Sequence, residues 1–181
     1  LISGRALGDL RSRVGLRKVT YVGNHGLEIV GSGFRYQMKD AAPWRRFLKS
    51  LVRQLQNTLG KLPGILLEDK DYTLSVHYRL ARQEIRRKAL RWLTRHLKPL
   101  EDKDLIKVGS GKAVWEIRPP VRWDKGHAVL WVLRQPAFRK RWPLYIGDDV
   151  TDQDAFQAIR DCGIGILVGS AQKKGSVHYT L

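Results

Sequence analysis

The chain has 181 residues, 43% of them hydrophobic and six of them tryptophan, so it can fold around a core. Its formal net charge of +17 favours an anionic partner such as a phosphorylated metabolite, a nucleic acid or an acidic membrane. The basic residues are spread along predicted helices, however, which favours the ordinary interpretation of a solvated basic surface. A single cysteine excludes an internal disulfide and favours the cytoplasm, and no apolar run approaches the roughly eighteen residues of a membrane span, so no membrane partner is expected.

The first 35 residues predict a β-α-β unit. "LIS" indicates a strand, "GRALGDLRSRVG" a short helix that ends at Gly15, and "KVTYVG" a second strand before the turn "NHG". This alternation is typical of parallel strands. Because the chain opens within a strand-like segment and its only methionine is Met38, we expect the natural protein to extend further at its N-terminus. The strand-like close "GSVHYTL" suggests an extension there too.

Residues 36–118 have a different pattern, which predicts a self-contained unit of helices and antiparallel strands. Apolar spacing predicts helices over 43–59 and 82–98. "GILLED" and "YTLSVHYR" indicate strands, and the alternation in the second predicts a strand with one buried face. "DLIKVGSGKAVWEIRP" predicts a hairpin that turns at Gly-Ser-Gly.

From residue 119 the alternation of helix and strand returns. "KGHAVLWVLRQ" and "TDQDAFQAIRD" indicate helices, and "PLYIG" and "GIGILVG" indicate strands. The simplest architecture is therefore a parallel α/β domain, formed by residues 1–35 and 119–181, that an α+β insert at 36–118 interrupts.

An acidic cluster follows the strand "PLYIG". Carboxylates this close together repel one another unless a cation lies between them. A capping box of Thr151 with Asp154 would explain part of the cluster but not Asp148, Asp149 and Asp152. Oxygen ligands without a nearby His or Cys suit a hard cation, so these three residues predict a Mg²⁺ site beyond a strand end, where open parallel sheets bind ligands.

Two further residues have either a functional or an ordinary interpretation. Lys125 begins a predicted helix, although helix N-termini prefer anions. A facing phosphate would resolve this mismatch, whereas a surface lysine is the alternative. Ser3 follows the first predicted strand and could bind a phosphate oxygen or cap the helix that starts near Arg5.

Together, the Ser after a strand, the Lys-Gly that opens a helix and the Gly-Asp-Asp-x-x-Asp resemble three successive motifs of the haloacid dehalogenase-like phosphatases. "SGR", "GNHGLEI", "HYR", "GKAVWEIRP", "WDKGHAV" and "YIGDDVTDQDAF" resemble, in that order, the trehalose-6-phosphate phosphatases over nearly the whole chain. The resemblance implies a haloacid dehalogenase-like Rossmannoid core, incomplete in this sequence, with an inserted α+β cap domain at 36–118.

The resemblance also implies roles for individual residues. Ser3 would bind the transferring phosphoryl group, Lys125 would neutralise its charge, Asp148 would ligate Mg²⁺, and Asp149 and Asp152 would support the metal site. Residues implied in sugar or phosphate binding are Asn24, His25, Glu68, Lys70, Arg79, Lys112, Glu116 and Arg118. Arg79 and Arg118 could equally be structural.

One departure from the family pattern limits this interpretation. The family's first motif, Asp-x-Asp-Gly-Thr, supplies the nucleophile and the general acid–base residue, and this sequence lacks it. We expect this motif to lie upstream of Leu1 in the full-length protein. We expect that protein to hydrolyse trehalose 6-phosphate in trehalose biosynthesis. We expect the 181 residues alone to be inactive.

Three alternatives stay open at this stage. The protein could be a related sugar phosphatase, or a non-catalytic domain that binds sugar phosphates beside a trehalose-phosphate synthase domain. Nucleic-acid binding rests on charge alone, and because Trp44 and Trp92 fall on predicted core faces, no stacking platform is evident.

Overall fold

The computed structural model describes residues 1–169 and 177–181, and the chain divides into two compact units. The core unit contains Leu1–Met38 and Arg122–Leu181, and the cap unit contains Lys39–Val121. Each boundary lies three residues after the one expected from the sequence. Part of the closing strand expected in "GSVHYTL" lies outside the described residues.

The elements alternate between the two units along the chain. The core unit begins with α1 (Leu7–Val14), β1 (Tyr21–Gly23), β2 (Glu28–Gly31) and β3 (Phe34–Gln37). The cap unit contains α2 (Ala41–Thr58), β4 (Leu66–Asp69), β5 (Leu74–His77), α3 (Gln83–Asp102), β6 (Lys107–Gly111) and β7 (Val114–Arg118). The core unit resumes with α4 (Lys125–Leu133), β8 (Leu144–Gly147), α5 (Gln153–Ile159), β9 (Ile164–Leu167) and β10 (Tyr179–Thr180).

The core unit contains the predicted parallel pairings. β9 pairs in parallel with β8 on one side and with β10 on the other, and Ile2 forms a parallel bridge to Val22. β1, β2 and β3 form an antiparallel meander, which the β-α-β pattern did not predict. Ile2 and Tyr145 pack against one buried cluster of α4 and α5 residues, so the first strand segment and β8 lie on the same pair of helices.

The cap unit is an antiparallel sheet, in the order β4-β5-β7-β6, with two helices. Leu74, Val76 and Ile117 share one face of this sheet and are fully buried. α2 packs on β4 and α3 packs on β6, which is consistent with both helices covering this apolar face. The two amphipathic helices were predicted from their apolar spacing, and α3 continues past Pro99, where Lys98 and Asp102 form an ion pair of 2.8 Å.

Two details of the cap unit differ from the prediction. β5 was expected to have one buried face, but Thr73 and Ser75, which point to the opposite face from Leu74, are also buried. β5 lies between β4 and β7, where both of its edges are paired. The β6–β7 hairpin does not turn at Gly-Ser-Gly; the turn is Lys112–Ala113, with Ala113 in the left-handed region at φ 62°.

Among the described residues, no helix combines the length and the apolar character needed to cross a membrane.

Candidate functional site

Several chain segments that are distant in sequence meet at one edge of the core unit. The His25 amide donates to the Ser3 carbonyl at 3.1 Å, and its ring lies so close to Gly4 that a Cβ there would stand 2.5 Å from it. Trp123 Nε1 donates to the Gly26 carbonyl at 2.7 Å. The loop that follows the first strand segment and the loop that follows β1 therefore lie side by side, and both are close to the residues that precede α4.

Lys125 is a buried cation at the first position of α4. Its side chain is only 6% exposed, and its Nζ lies 2.7 Å from Asp152 Oδ1. Asp124 is the N-cap of the helix, and its carboxylate accepts a hydrogen bond from the His127 amide at 2.9 Å. This carboxylate is the anion that a helix N-terminus favours. The ordinary alternative of an exposed surface lysine is thus wrong.

Asp152 accepts hydrogen bonds from four donors in the part of the chain that the structure describes. Lys125 Nζ and the Tyr145 hydroxyl donate to Oδ1, both at 2.7 Å. The amides of Asp148 and Asp149 donate to Oδ2 at 3.1 and 2.9 Å. Burial alone would raise the pKa of Asp152, but the hydrogen bond and charge of Lys125, with smaller contributions from the Asp149 amide and Tyr145, lower that pKa below its usual value. Both carboxylate oxygens are therefore engaged within the protein.

The Tyr145 hydroxyl remains a donor. Burial first, and the adjacent Asp152 carboxylate second, raise the pKa of Tyr145 far above its usual value. Sequence reasoning missed this residue, because Tyr145 lies in the apolar run "LYIG" and resembles an ordinary core residue. Its position beside the acidic loop was the available signal.

Asp149 stabilises the loop that follows β8. Its carboxylate accepts a hydrogen bond from the Val150 amide at 2.6 Å, and with Asp152 it forms a capping box around the 3₁₀ turn Val150–Asp152. The capping box predicted from Thr151 and Asp154 is wrong by two residues, because this 3₁₀ turn precedes α5.

Asp148 is exposed at the end of β8, and its carboxylate makes no hydrogen bond or ion pair with any described residue. Within residues 1–169 and 177–181, no three His, Cys, Asp or Glu side chains cluster closely enough to hold a metal ion. Asp148 nevertheless offers an uncommitted hard oxygen donor of the kind that Mg²⁺ prefers. The described residues fit such an ion through this one carboxylate.

Ser3 and Asn24 have structural partners. The Ser3 hydroxyl accepts a hydrogen bond from the Arg5 amide at 3.2 Å, and it does not cap α1, whose N-cap is Ala6. Asn24 is completely buried and its side-chain amide donates to Glu28 at 2.8 Å. This contact indicates that Asn24 stabilises the loop after β1.

The cap unit brings several predicted sugar-binding residues to one face of its sheet. Glu68, Ser75, Glu116 and Gly109 form a row across β4, β5, β7 and β6, and therefore point to the same side. Lys70 Nζ lies 3.1 Å from Glu116 Oε1, and both side chains are largely buried.

His77 and Arg118 extend this polar face of the cap unit. His77 Nε2 lies 2.8 Å from Glu68 Oε2, a pairing that the sequence analysis missed although the strand alternation places His77 on that face. The Arg118 guanidinium lies across Gly109, and its Nε is buried with no partner among the described residues. Arg79, just beyond β5, and Lys112, in the β6–β7 turn, are exposed, and among the described residues no contact joins their side chains to this face.

A cleft of about 690 Å³ lies elsewhere in the core unit, between α1 and the β2–β3 turn. It contains none of the residues that the sequence analysis assigned to the site.

Comparisons of the sequence with known proteins match the chain to trehalose phosphatases. A family model described as trehalose-phosphatase matches residues 1–180. A trehalose-phosphate phosphatase from Mycolicibacterium paratuberculosis is 38% identical over 178 residues, which cover 93% of this chain and 44% of the relative. The chain thus spans less than half the length of such curated relatives.

Two solved structures support the fold. The C-terminal domain of C. albicans trehalose-6-phosphate phosphatase has a TM-score of 0.76 at 25% identity, with 100% of this chain and 72% of that chain covered. A haloacid dehalogenase-like hydrolase from B. subtilis has a TM-score of 0.61 at 14% identity, with 98% and 80% covered. The expected haloacid dehalogenase-like α/β fold is confirmed.

Proposed function

The chain belongs to the trehalose-phosphatase family, and we propose that its full-length gene product hydrolyses trehalose 6-phosphate to trehalose and inorganic phosphate. The observation that carries this proposal is the buried pair of Lys125 and Asp152 beside the uncommitted carboxylate of Asp148. Burying an ion pair costs free energy. A buried lysine that binds a doubly charged phosphoryl group would explain why the pair is present despite this cost.

Lys125 binds the phosphoryl group in this proposal. Its ammonium group has three N–H donors, and Asp152 accepts one of them. The others are available to phosphoryl oxygens, whose charge increases during transfer. The Ser3 hydroxyl, in the loop whose backbone carbonyl accepts a hydrogen bond from the His25 amide, would supply a further hydrogen bond to the phosphoryl group.

In this proposal Asp148 would ligate Mg²⁺, because its carboxylate has no competing partner among the described residues. The bound ion would neutralise phosphoryl charge. Asp149 supports the metal site through the loop that it caps, and Asp152 supports it by holding the Asp148 amide and Lys125. The nucleophile would be an aspartate of the motif expected upstream of Leu1: its carboxylate would attack phosphorus as the P–O bond to trehalose breaks, and the sugar oxygen would take up a proton. Water would then hydrolyse the aspartyl phosphate, which returns the carboxylate and releases inorganic phosphate.

The polar face of the cap unit recognises the sugar. Glu68, Lys70 and Glu116 provide the paired donors and acceptors that a polyhydroxyl ligand requires. The Nε of Arg118, which has no hydrogen-bond partner among the described residues, supplies another donor. Lys112 and Arg79, at the exposed ends of strands, would make secondary contacts, and His25 would line the site in the core unit.

We also propose a cytoplasmic location, because the exposed thiol of Cys162 forms no disulfide and suits a reducing compartment.

Phosphate release by the full-length gene product from a panel of sugar phosphates tests the function. We expect a strong preference for trehalose 6-phosphate, which Lys112→Ala and Glu116→Ala reduce. Lys103→Ala, at an exposed position just beyond α3 of the same unit, is the matched control and should leave the preference unchanged. Equal rates on several sugar phosphates would indicate a related phosphatase, and binding without turnover would indicate a non-catalytic sensor.

A further inference from the structure

We infer that Tyr145 is a positioning residue, whose hydroxyl orients the Asp152 carboxylate and thereby the ammonium group of Lys125. The inference rests on the proposed function, which gives Lys125 its task. Tyr145 and Lys125 donate to the same oxygen, Asp152 Oδ1, at the same distance of 2.7 Å. Neither the family resemblance nor the acidic motif assigns any role to this tyrosine.

The Tyr145 hydroxyl occupies a fixed position. Its ring packs edge-on against Phe156, with the ring centroids 5.4 Å apart and the planes at 89°. The ring also contacts the buried cluster of Val129, Ala155 and Ile159. The backbone of Tyr145 is paired with Gly165 of β9, so both the ring and the backbone of this residue are held by contacts outside the acidic loop. These contacts fix the position of the hydroxyl, and its hydrogen bond in turn fixes the position of the Asp152 carboxylate.

Lys125, in contrast, is attached through a flexible four-carbon stem. The two loop amides hold Oδ2 of Asp152, and among the described residues Tyr145 and Lys125 are the donors to Oδ1, so the Tyr145 hydroxyl is one of the contacts that set the rotation of the whole carboxylate. Without the hydroxyl, Lys125 would be the one remaining donor to Oδ1 among the described residues, and its ammonium group would be free to move closer over the carboxylate. Its remaining N–H donors would then point away from the direction needed for the phosphoryl group, and small misplacements of this kind are costly in catalysis.

The alternative is that Tyr145 only fills the core. Tyr145→Phe removes the hydroxyl and retains the ring, so it separates the two roles. Tyr21→Phe is the matched control, because Tyr21 is buried in β1 of the same unit and its hydroxyl donates at 2.8 Å to the Leu16 carbonyl, not to the acidic loop. Both variants remove one partly buried, hydrogen-bonded hydroxyl and leave the net charge and the aromatic ring unchanged.

The experiment compares kcat, KM and the inhibition constant of inorganic phosphate in the full-length gene product. We expect Tyr145→Phe to lower kcat about tenfold and to weaken phosphate inhibition, with a melting temperature close to that of Tyr21→Phe. Tyr145→4-aminophenylalanine restores an N–H donor at the same place and should recover most of the lost rate. Equal kcat and equal phosphate inhibition in the two phenylalanine variants would overturn the inference, as would failure of the amine to restore the rate.

A second measurement does not depend on turnover. Hydrogen exchange at the amides of Asp148 and Asp149, which donate to Asp152 Oδ2, should be faster in Tyr145→Phe than in Tyr21→Phe. Unchanged exchange would show that Tyr145 does not hold the carboxylate. An inactive wild-type protein with this exchange difference intact would refute the proposed function and leave the positioning role of Tyr145 supported.

Discussion

Gly147→Ala should destabilise the core unit, although alanine normally suits a strand better than glycine does. Gly147 is the last residue of β8, and a Cβ at this position would stand 2.5 Å from Asp152 Cγ and 2.6 Å from Oδ2. Ordinary van der Waals contact begins near 3.4 Å, so the carboxylate would have to move by about 1 Å. The backbone cannot yield instead, because Gly147 is paired with Leu167 and its carbonyl accepts from Val168 at 2.9 Å.

The energetic cost follows from the hydrogen bonds of Asp152. A shift of that size would break at least one of its four hydrogen bonds, each of which involves a charged group and contributes about 1.5–3 kcal/mol. We therefore expect a loss of roughly 2–4 kcal/mol in the free energy of unfolding. In a protein of this size that corresponds to a drop of roughly 5–15 °C in melting temperature.

Thermal unfolding followed by circular dichroism measures this effect. Gly8→Ala is the matched control: Gly8 lies inside α1, a Cβ there meets nothing within 4 Å, and the change should stabilise the protein by about 0.5–1 kcal/mol. If Gly147→Ala melted at or above the temperature of the wild type, the proposed packing of Asp152 against the end of β8 would be refuted.

Other substitutions, made in the full-length gene product, test the remaining parts of the site. Lys125→Met should abolish phosphate release and cost about 3–5 kcal/mol of stability by leaving the Asp152 charge unpaired; adding Asp152→Asn should restore the melting temperature but not the activity. The pKa of Asp152 is lowered below 3.8 in the folded state, so the ionised carboxylate stabilises the protein above pH 3.8 and this contribution is lost as the pH falls through the folded pKa. In Asp152→Asn the free energy of unfolding should therefore depend less steeply on pH in the acid range. Asp148→Asn should raise the Mg²⁺ concentration needed for activity without changing the melting temperature, and EDTA should abolish activity in the wild type; activity that survives EDTA would contradict the metal assignment. Lys70→Ala, which deprives Glu116 of its ion-pair partner, should raise KM about tenfold and change kcat less, as saturation kinetics would show.

Local patterns were sufficient to predict most of the secondary structure. The helices around Leu48 and Leu93 follow from apolar spacing of three and four, and the parallel strand β8 follows from an apolar run that ends in glycine. The exact turns were harder to predict. The β6–β7 hairpin turns at Lys112–Ala113 because strand pairing continues through Gly109 and Gly111, which the sequence pattern assigned to the turn.

The sequence by itself determined the family motifs, the order of elements and the unusual position of Lys125 at a helix start. The roles of the aspartates were decided only by the tertiary structure. Asp148 and Asp152 are four residues apart and chemically identical, yet one carboxylate has no partner among the described residues and the other has four donors. Lys125, 27 residues from Asp152, and Tyr145 are among those donors. Periodicity describes only neighbours along the chain, whereas the state of a carboxylate depends on groups that folding brings to it from elsewhere.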